Sequence, residues 1–169
     1  MTVYAYVDGP LGEMLLVGEE SAATGHGGPT ALASLSLPGQ KGAAVVQDGW
    51  RHRPEAFEGI AAQLRAYFAG ELTRFELART GAGTDFQRRV WRALEDIPYG
   101  TTVTYGEIAA RVGAPGAGVR AVGTAIGRNP LLVVRPCHRV IGADGALRGY
   151  AGGLERKERL LGLEGALVR

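Results

Sequence analysis

Asn129-Pro130-Leu131-Leu132-Val133-Val134-Arg135-Pro136-Cys137-His138-Arg139-Val140 carries the only cysteine of the 169-residue chain and sets it beside a histidine, between two arginines. The apolar run 131–134 reads as a buried strand leading into Pro136. A thiol is a nucleophile only as thiolate, so a reactive cysteine needs a base, a nearby cation or a helix N-terminus. His138, Arg135 and Arg139 offer the first two. Neighbours along a strand face opposite sides, however, so the Cys137-His138 pair proves no contact by itself. For a lone cysteine, a buried structural thiol is the more common case.

Outward from this segment the C-terminal half reads as helices. Thr84 with Gln87 three residues later forms a capping box, followed by the apolar face Phe86, Val90, Trp91 and Leu94. Thr104 with Glu107 forms a second box, opening a helix through Ile108 and Val112. A glycine-rich turn over 113–118 leads to the next apolar face: Val119, Val122, Ala125 and Ile126. Two short helices so joined fit a helix-turn-helix as well as a plain packing pair. In the second helix Ala121, Gly123 and Thr124 are too short for bidentate bonds to base edges, and Arg120 stands at its start. Such a smooth surface with one long cation suits close, sequence-independent approach to a DNA groove.

The N-terminal half reads as a small α/β unit. Val3–Val7 and Met14–Val17 are strands joined at the turn Asp8–Gly12. Residues Glu19 to Thr30 form a loop, and Leu32–Leu37 and Ala43–Gln47 are further strands. Pro54 opens a helix with Phe57, Ile60, Ala61, Leu64, Tyr67 and Phe68 on one face, ended by Gly70. His26 and His52 read as loop histidines. The domains are expected over 1–78 and 84–169, with Arg79–Gly83 as linker. The net charge of +2 hides an asymmetry: residues 1–78 carry five basic and nine acidic groups, and residues 79–169 carry fourteen and eight. A polyanion would therefore be drawn to the C-terminal half.

One cysteine excludes an internal disulfide, and with three histidines beside it a four-ligand structural zinc site is not expected. No metal or organic cofactor is expected. No apolar run approaches the roughly 18 residues of a membrane span, and the N-terminus lacks the layout of a signal peptide. A cytoplasmic protein without membrane association is expected.

Pro136-Cys137-His138-Arg139-Val140 closely resembles the active-site signature of the O6-alkylguanine-DNA alkyltransferases. Asn129-Pro130 stands at that family's spacing before the cysteine. Gly149-Tyr150-Ala151-Gly152-Gly153-Leu154 resembles its substrate loop, and Leu160-Leu161-Gly162-Leu163-Glu164-Gly165 its terminal helix. Asp85-Phe86-Gln87, Ile97-Pro98-Tyr99-Gly100 and Tyr105-Gly106-Glu107-Ile108-Ala109 also match, so the resemblance covers nearly all of residues 84–165.

The resemblance implies a ribonuclease-H-like α/β domain without catalytic residues, followed by a mainly α, winged-helix-like (helix-turn-helix) domain carrying the chemistry. It implies that Cys137 accepts the alkyl group irreversibly, that His138 withdraws the thiol proton through a water, and that Glu164 orients the imidazole. Asn129 would organise the turn between recognition helix and active site, and Tyr105 would lie near the extruded nucleotide. Arg120 would fill the vacated stack, with Ala121, Gly123 and Thr124 against DNA. Tyr150 and the N–H of Ala151 would approach O6, while the carbonyls of Cys137 and Val140 would bind the exocyclic amine. The implied partner is double-stranded DNA with alkylated bases, O6-alkylguanine and also O4-alkylthymine, bound in the minor groove by a monomer. Two departures stand out: from Tyr105 to Arg120 the chain is one residue longer than the family pattern, and Ala151 replaces a serine found in some relatives. A cysteine hydrolase and a non-catalytic alkyl-lesion sensor are the rival readings. The first needs an oxyanion hole that no motif here supplies, and sensors resembling this family lack the acceptor cysteine.

Overall fold

The computed structural model describes residues 1–20, 30–116 and 118–166. The chain divides into two compact units, Met1–Gly81 and Ala82–Arg169. Each combines a small sheet with helices, and the first sheet mixes parallel and antiparallel pairs.

In the first unit β1 (Thr2–Gly9) and β2 (Gly12–Glu19) form the expected hairpin, closing at the pair Gly9 and Gly12. β3 (Ala31–Ser36) runs antiparallel to β2, and β4 (Arg51–His52) runs parallel to β1, giving the order β3-β2-β1-β4. The register slips between Val17 and Gly18, where a side chain on Gly18 would lie 2.7 Å from the Ala31 carbonyl oxygen. Only glycine fits that approach. A 3-10 turn, Pro54–Phe57, feeds α1 (Glu58–Phe68), which buries Ile60, Ala61, Leu64 and Tyr67.

Ala43–Gln47 is not the strand that its composition predicts. The Ser36 hydroxyl at the end of β3 takes the Ala44 N–H at 3.1 Å in place of a ladder bond, and Arg51–His52 fills the sheet edge beside β1. Val45 is accordingly 68% exposed. His52 belongs to that edge strand rather than to a loop, with its ring 5.2 Å from that of Tyr4. His26 and most of the Glu19–Thr30 loop lie outside the described residues. The start of the expected linker follows β3: Thr80 N–H donates to the Leu32 carbonyl, and Leu32 N–H to that of Ala78, both at 2.9 Å.

The second unit contains α2 (Asp85–Glu95), β5 (Val103–Thr104), α3 (Tyr105–Arg111), α4 (Gly118–Gly127), β6 (Val140–Ile141) and α5 (Leu154–Leu163). Both halves of the Thr84–Gln87 capping box form. The second box forms on one side: the Thr104 hydroxyl accepts the Glu107 N–H at 3.1 Å and turns its own proton to the Glu107 carboxylate. Helices α2, α3 and α4 pack together on Val90, Leu94, Ile108, Val122 and Ile126. The Trp91 indole N–H reaches across to the Ala125 carbonyl at 2.9 Å. β5 and β6 pair in parallel, Val103 with Val140 and Thr104 with Ile141, which fixes the start of α3 against the chain leaving Cys137. No helix among the described residues is long and apolar enough to cross a membrane.

Candidate active site

The run Leu131–Val134 is buried as expected but is a tight turn, not a strand. One side chain supplies much of its hydrogen bonding, beside the bond from Arg135 N–H to the Leu131 carbonyl. The Asn129 carboxamide accepts the Leu131 N–H at 3.0 Å and donates to the carbonyls of Leu131 and Arg135 at 3.4 and 3.1 Å. With these groups satisfied locally, no ladder is needed. Val134 N–H bonds the Leu132 carbonyl across Val133, whose φ of 70° is a strained γ-turn geometry for a β-branched residue. Arg135 locks the turn from outside: its guanidinium meets Glu95 at 3.2 Å and lies over the Trp91 ring, both on α2.

The turn delivers the chain into a 3-10 segment, Cys137–Arg139. Strand alternation therefore does not apply to Cys137 and His138. Cys137 is 4% exposed, and burial pushes its thiol up to about 11. A hydrogen bond from Asn129 and the charges of Lys157 and Arg135 oppose that rise. The resting thiol thus keeps its proton at neutral pH and needs a base when it reacts.

His138 is fully buried. Its Nε2 lies 2.9 Å from Glu164 Oε2. A carboxylate only accepts, so this contact places the proton on Nε2 and leaves a lone pair on Nδ1. Nδ1 is buried and has no hydrogen-bond partner among the described residues. Burial lowers the imidazole pKa; the bond to Glu164 and its charge raise it, and Arg139 and Lys157 lower it. A neutral ring with an open acceptor nitrogen is a competent base.

Glu164 caps α5, and both its oxygens are engaged by Arg139, Nε to Oε1 at 2.7 Å and NH2 to Oε2 at 2.9 Å. The guanidinium also donates to the Ile97 carbonyl at 2.6 Å and sits 5.7 Å from the Tyr99 ring centroid. Lys157, on α5, is fully buried and, among the described residues, meets carbonyls rather than a carboxylate. Its three N–H groups meet the carbonyls of Val140 (2.6 Å), Leu147 (2.5 Å) and Gly149 (3.1 Å). Burial lowers its pKa to about 8, and the Cys137 charge works against that.

Among the sequence-predicted residues, the structure brings together Cys137, Asn129, His138, Glu164 and Val140. Tyr105 is half-buried; burial and the Cys137 charge raise its pKa, and Arg148 lowers it. Tyr150 and Ala151 lie half-buried in the turn before α5, which the Gly153 N–H closes on the Tyr150 carbonyl at 2.9 Å. Arg120, Ala121 and Thr124 are exposed on α4, whereas Gly123 is half-buried, its Cα face against the Tyr105 ring. A groove of about 420 Å³ runs beside α4, lined by Thr84, Phe86, Gln87, Ala121, Thr124, Ala125 and Arg128. Sequence reasoning missed Lys157 and the partner of Arg139. Lys157 was discoverable as a lone lysine in the helical apolar stripe with Leu160 and Leu161. The Arg139 pairing spans 25 residues and leaves no local signal.

Residues 85–166 match the family model described as 6-O-methylguanine DNA methyltransferase, DNA binding domain. The chain is 51% identical to a methylated-DNA–protein-cysteine methyltransferase of Mycolicibacterium paratuberculosis, over 97% of this chain and 93% of that protein. It is 47% identical to the protein of the same name from Methanosarcina acetivorans, over 96% and 98%. In structure it is similar to Mycobacterium tuberculosis OGT in complex with DNA, with a TM-score of 0.85 at 48% identity, covering 97% of this chain and 93% of that one.

Asn129→Ala removes the acceptor of one buried N–H and the donor to two carbonyls. The Leu131 and Arg135 carbonyls keep the N–H groups of Arg135 and Cys137, so only the Leu131 N–H is stranded, and the loss in urea unfolding should be about 1–3 kcal/mol. Wild-type stability would show that the turn holds without the carboxamide.

Proposed function

Since the chain belongs to the 6-O-methylguanine DNA methyltransferase family, we propose that it repairs DNA by moving the alkyl group of O6-alkylguanine, and of O4-alkylthymine, onto Cys137, once per chain. The observation that carries this reading is the buried acceptor thiol on the same 3-10 turn as an imidazole tied to Glu164 through Nε2, with Nδ1 open. In the reaction the Cys137 proton passes through a water to His138 Nδ1, and sulfur attacks the alkyl carbon. The bond from that carbon to O6 breaks, and its electron pair leaves with guanine. The Tyr150 hydroxyl and the Ala151 N–H neutralise charge growing on the base. The product is a thioether, which neither water nor an amine cleaves readily, so Cys137 is not regenerated.

Recognition follows from the same turn. The carbonyls of Cys137 and Val140 accept the exocyclic amine; Val140 already takes one Lys157 proton and keeps a second lone pair. A methyl on O6 lies inside the duplex, so the nucleotide must leave the stack, at a cost of a few kcal/mol. Arg120 fills the gap, Tyr105 lies by the extruded nucleotide, and Ala121, Gly123 and Thr124 let α4 approach the minor groove without reading sequence. The fourteen basic groups after residue 78, against eight acidic ones, support that placement. The finer fold reading is a ribonuclease-H-like domain over 1–78, a linker over 79–83 and a winged-helix-like domain over 84–169, in a cytoplasmic monomer.

Titration of duplex DNA containing O6-methylguanine should plateau at one lesion repaired per chain, and Cys137→Ser should bind the DNA but repair none. Continued repair beyond one equivalent would favour a hydrolase. Unrepaired DNA bound tightly by the wild-type chain would favour a sensor. Arg120→Ala should slow single-turnover repair of duplex DNA at saturating protein at least tenfold, while attack on free O6-benzylguanine, which needs no flipping, stays within about twofold. Full recovery of duplex repair at saturation would reduce Arg120 to an electrostatic anchor.

A further inference from the structure

The segment Ile97-Pro98-Tyr99-Gly100 has no part in the chemistry above, yet it meets the active site at Arg139 and Glu164. The Ile97 carbonyl takes the inner N–H of Arg139, and the Tyr99 ring lies under its guanidinium. The Tyr99 hydroxyl reaches the Leu163 carbonyl at 3.4 Å, and Gly100, with φ of 79°, leaves only 3.2 Å between a would-be Cβ and the Glu164 carbonyl oxygen. This turn and the end of α5 thus clamp Arg139 and Glu164 in one geometry.

We propose that Arg139 is a positioning residue that keeps His138 a base: held by Ile97 and Tyr99, its guanidinium occupies both oxygens of Glu164, so that the carboxylate orients the imidazole without protonating it. A lone buried carboxylate 2.9 Å from an imidazole captures a proton there, and imidazolium cannot accept the thiol proton. The bidentate pair removes that demand, because the charge of Glu164 is balanced before His138 is reached. Arginine suits the place: its fork meets two oxygens and a carbonyl at once, and it does not lose its proton.

The groups facing His138 are few. Glu164 and Lys157 face it from α5, and Cys137 and Arg139 from its own turn. Tyr105 and Arg135 act on it only through Cys137, and Tyr99 through Arg139. Lys157 works in the same direction as Arg139 but is committed to three carbonyls, so it cannot take over both oxygens of Glu164.

The inference rests on His138 as the base for Cys137, and an NMR titration of the His138 ring in the free protein separates its failure from failure of that reading. In Arg139→Met the ring should titrate about one pH unit higher than in the wild type. The acid limb of single-turnover repair should move with it, about a tenfold loss below the limb. Glu164→Gln alone slows transfer, because it leaves the Arg139 cation unbalanced beside the ring. Adding Arg139→Gln to it should raise the rate again, since neither charge is left. Should Arg139→Met fail to fold, this double variant, in which both charges of the buried pair are removed together, decides. An unmoved His138 titration with a rate reduced equally at every pH would make Arg139 a structural residue. So would a double variant no faster than Glu164→Gln. A shifted ring titration with an unshifted rate profile would instead remove His138 as the base.

Discussion

The buried carboxylate of Glu164 is the point on which the second unit depends. The residue ends α5, its carboxylate accepts two bonds from Arg139 and one from His138, and its backbone carbonyl faces Gly100 of the Ile97–Gly100 turn. Three chain segments meet there, separated in sequence by as much as 67 residues between Ile97 and Glu164. Removing one partner of such a pair costs about 3–5 kcal/mol, because the survivor is left charged in an apolar setting. Helix α5 also carries Lys157, whose ammonium gathers the carbonyls of Val140, Leu147 and Gly149. One helix thus fixes both the proton acceptor and the edge along which a base would be recognised.

A nucleophile in so dry a setting meets a conflict. Burial that strengthens every bond around Cys137 also disfavours its thiolate, and the free thiol stays protonated. The fold resolves this by building the base, not the anion, in advance. Asn129, Lys157 and Arg135 lower the cost of the thiolate when it forms. His138, neutral and open at Nδ1, stands ready to take the proton. A thiol that ionises only as it reacts is also shielded from adventitious oxidation, which is useful for a residue spent once.

Local chemistry was legible in the sequence and long-range pairing was not. The capping box at Thr84 and the end of α1 at Gly70 follow from residues a few positions apart, and both stand in the structure. Leu131–Val134 misled because an apolar run is the same whether a neighbouring strand or the Asn129 carboxamide satisfies its backbone. Ala43–Gln47 misled because strand composition does not say whether an edge is free. Glu164 reached the site only through resemblance to a family, since nothing within 26 residues ties it to His138. The pairing of Arg139 with Glu164 has no pattern at all, as its partners come from two distant segments, the Ile97–Gly100 turn and the end of α5.

The most direct test of the account is the intact mass of the wild-type chain after mixing with excess duplex DNA containing O6-methylguanine, followed by peptide mapping. The account predicts a gain of one methyl group on every chain, borne by the peptide that contains Cys137. An unchanged protein mass with the lesion consumed, or a methyl group on any other residue, would contradict it.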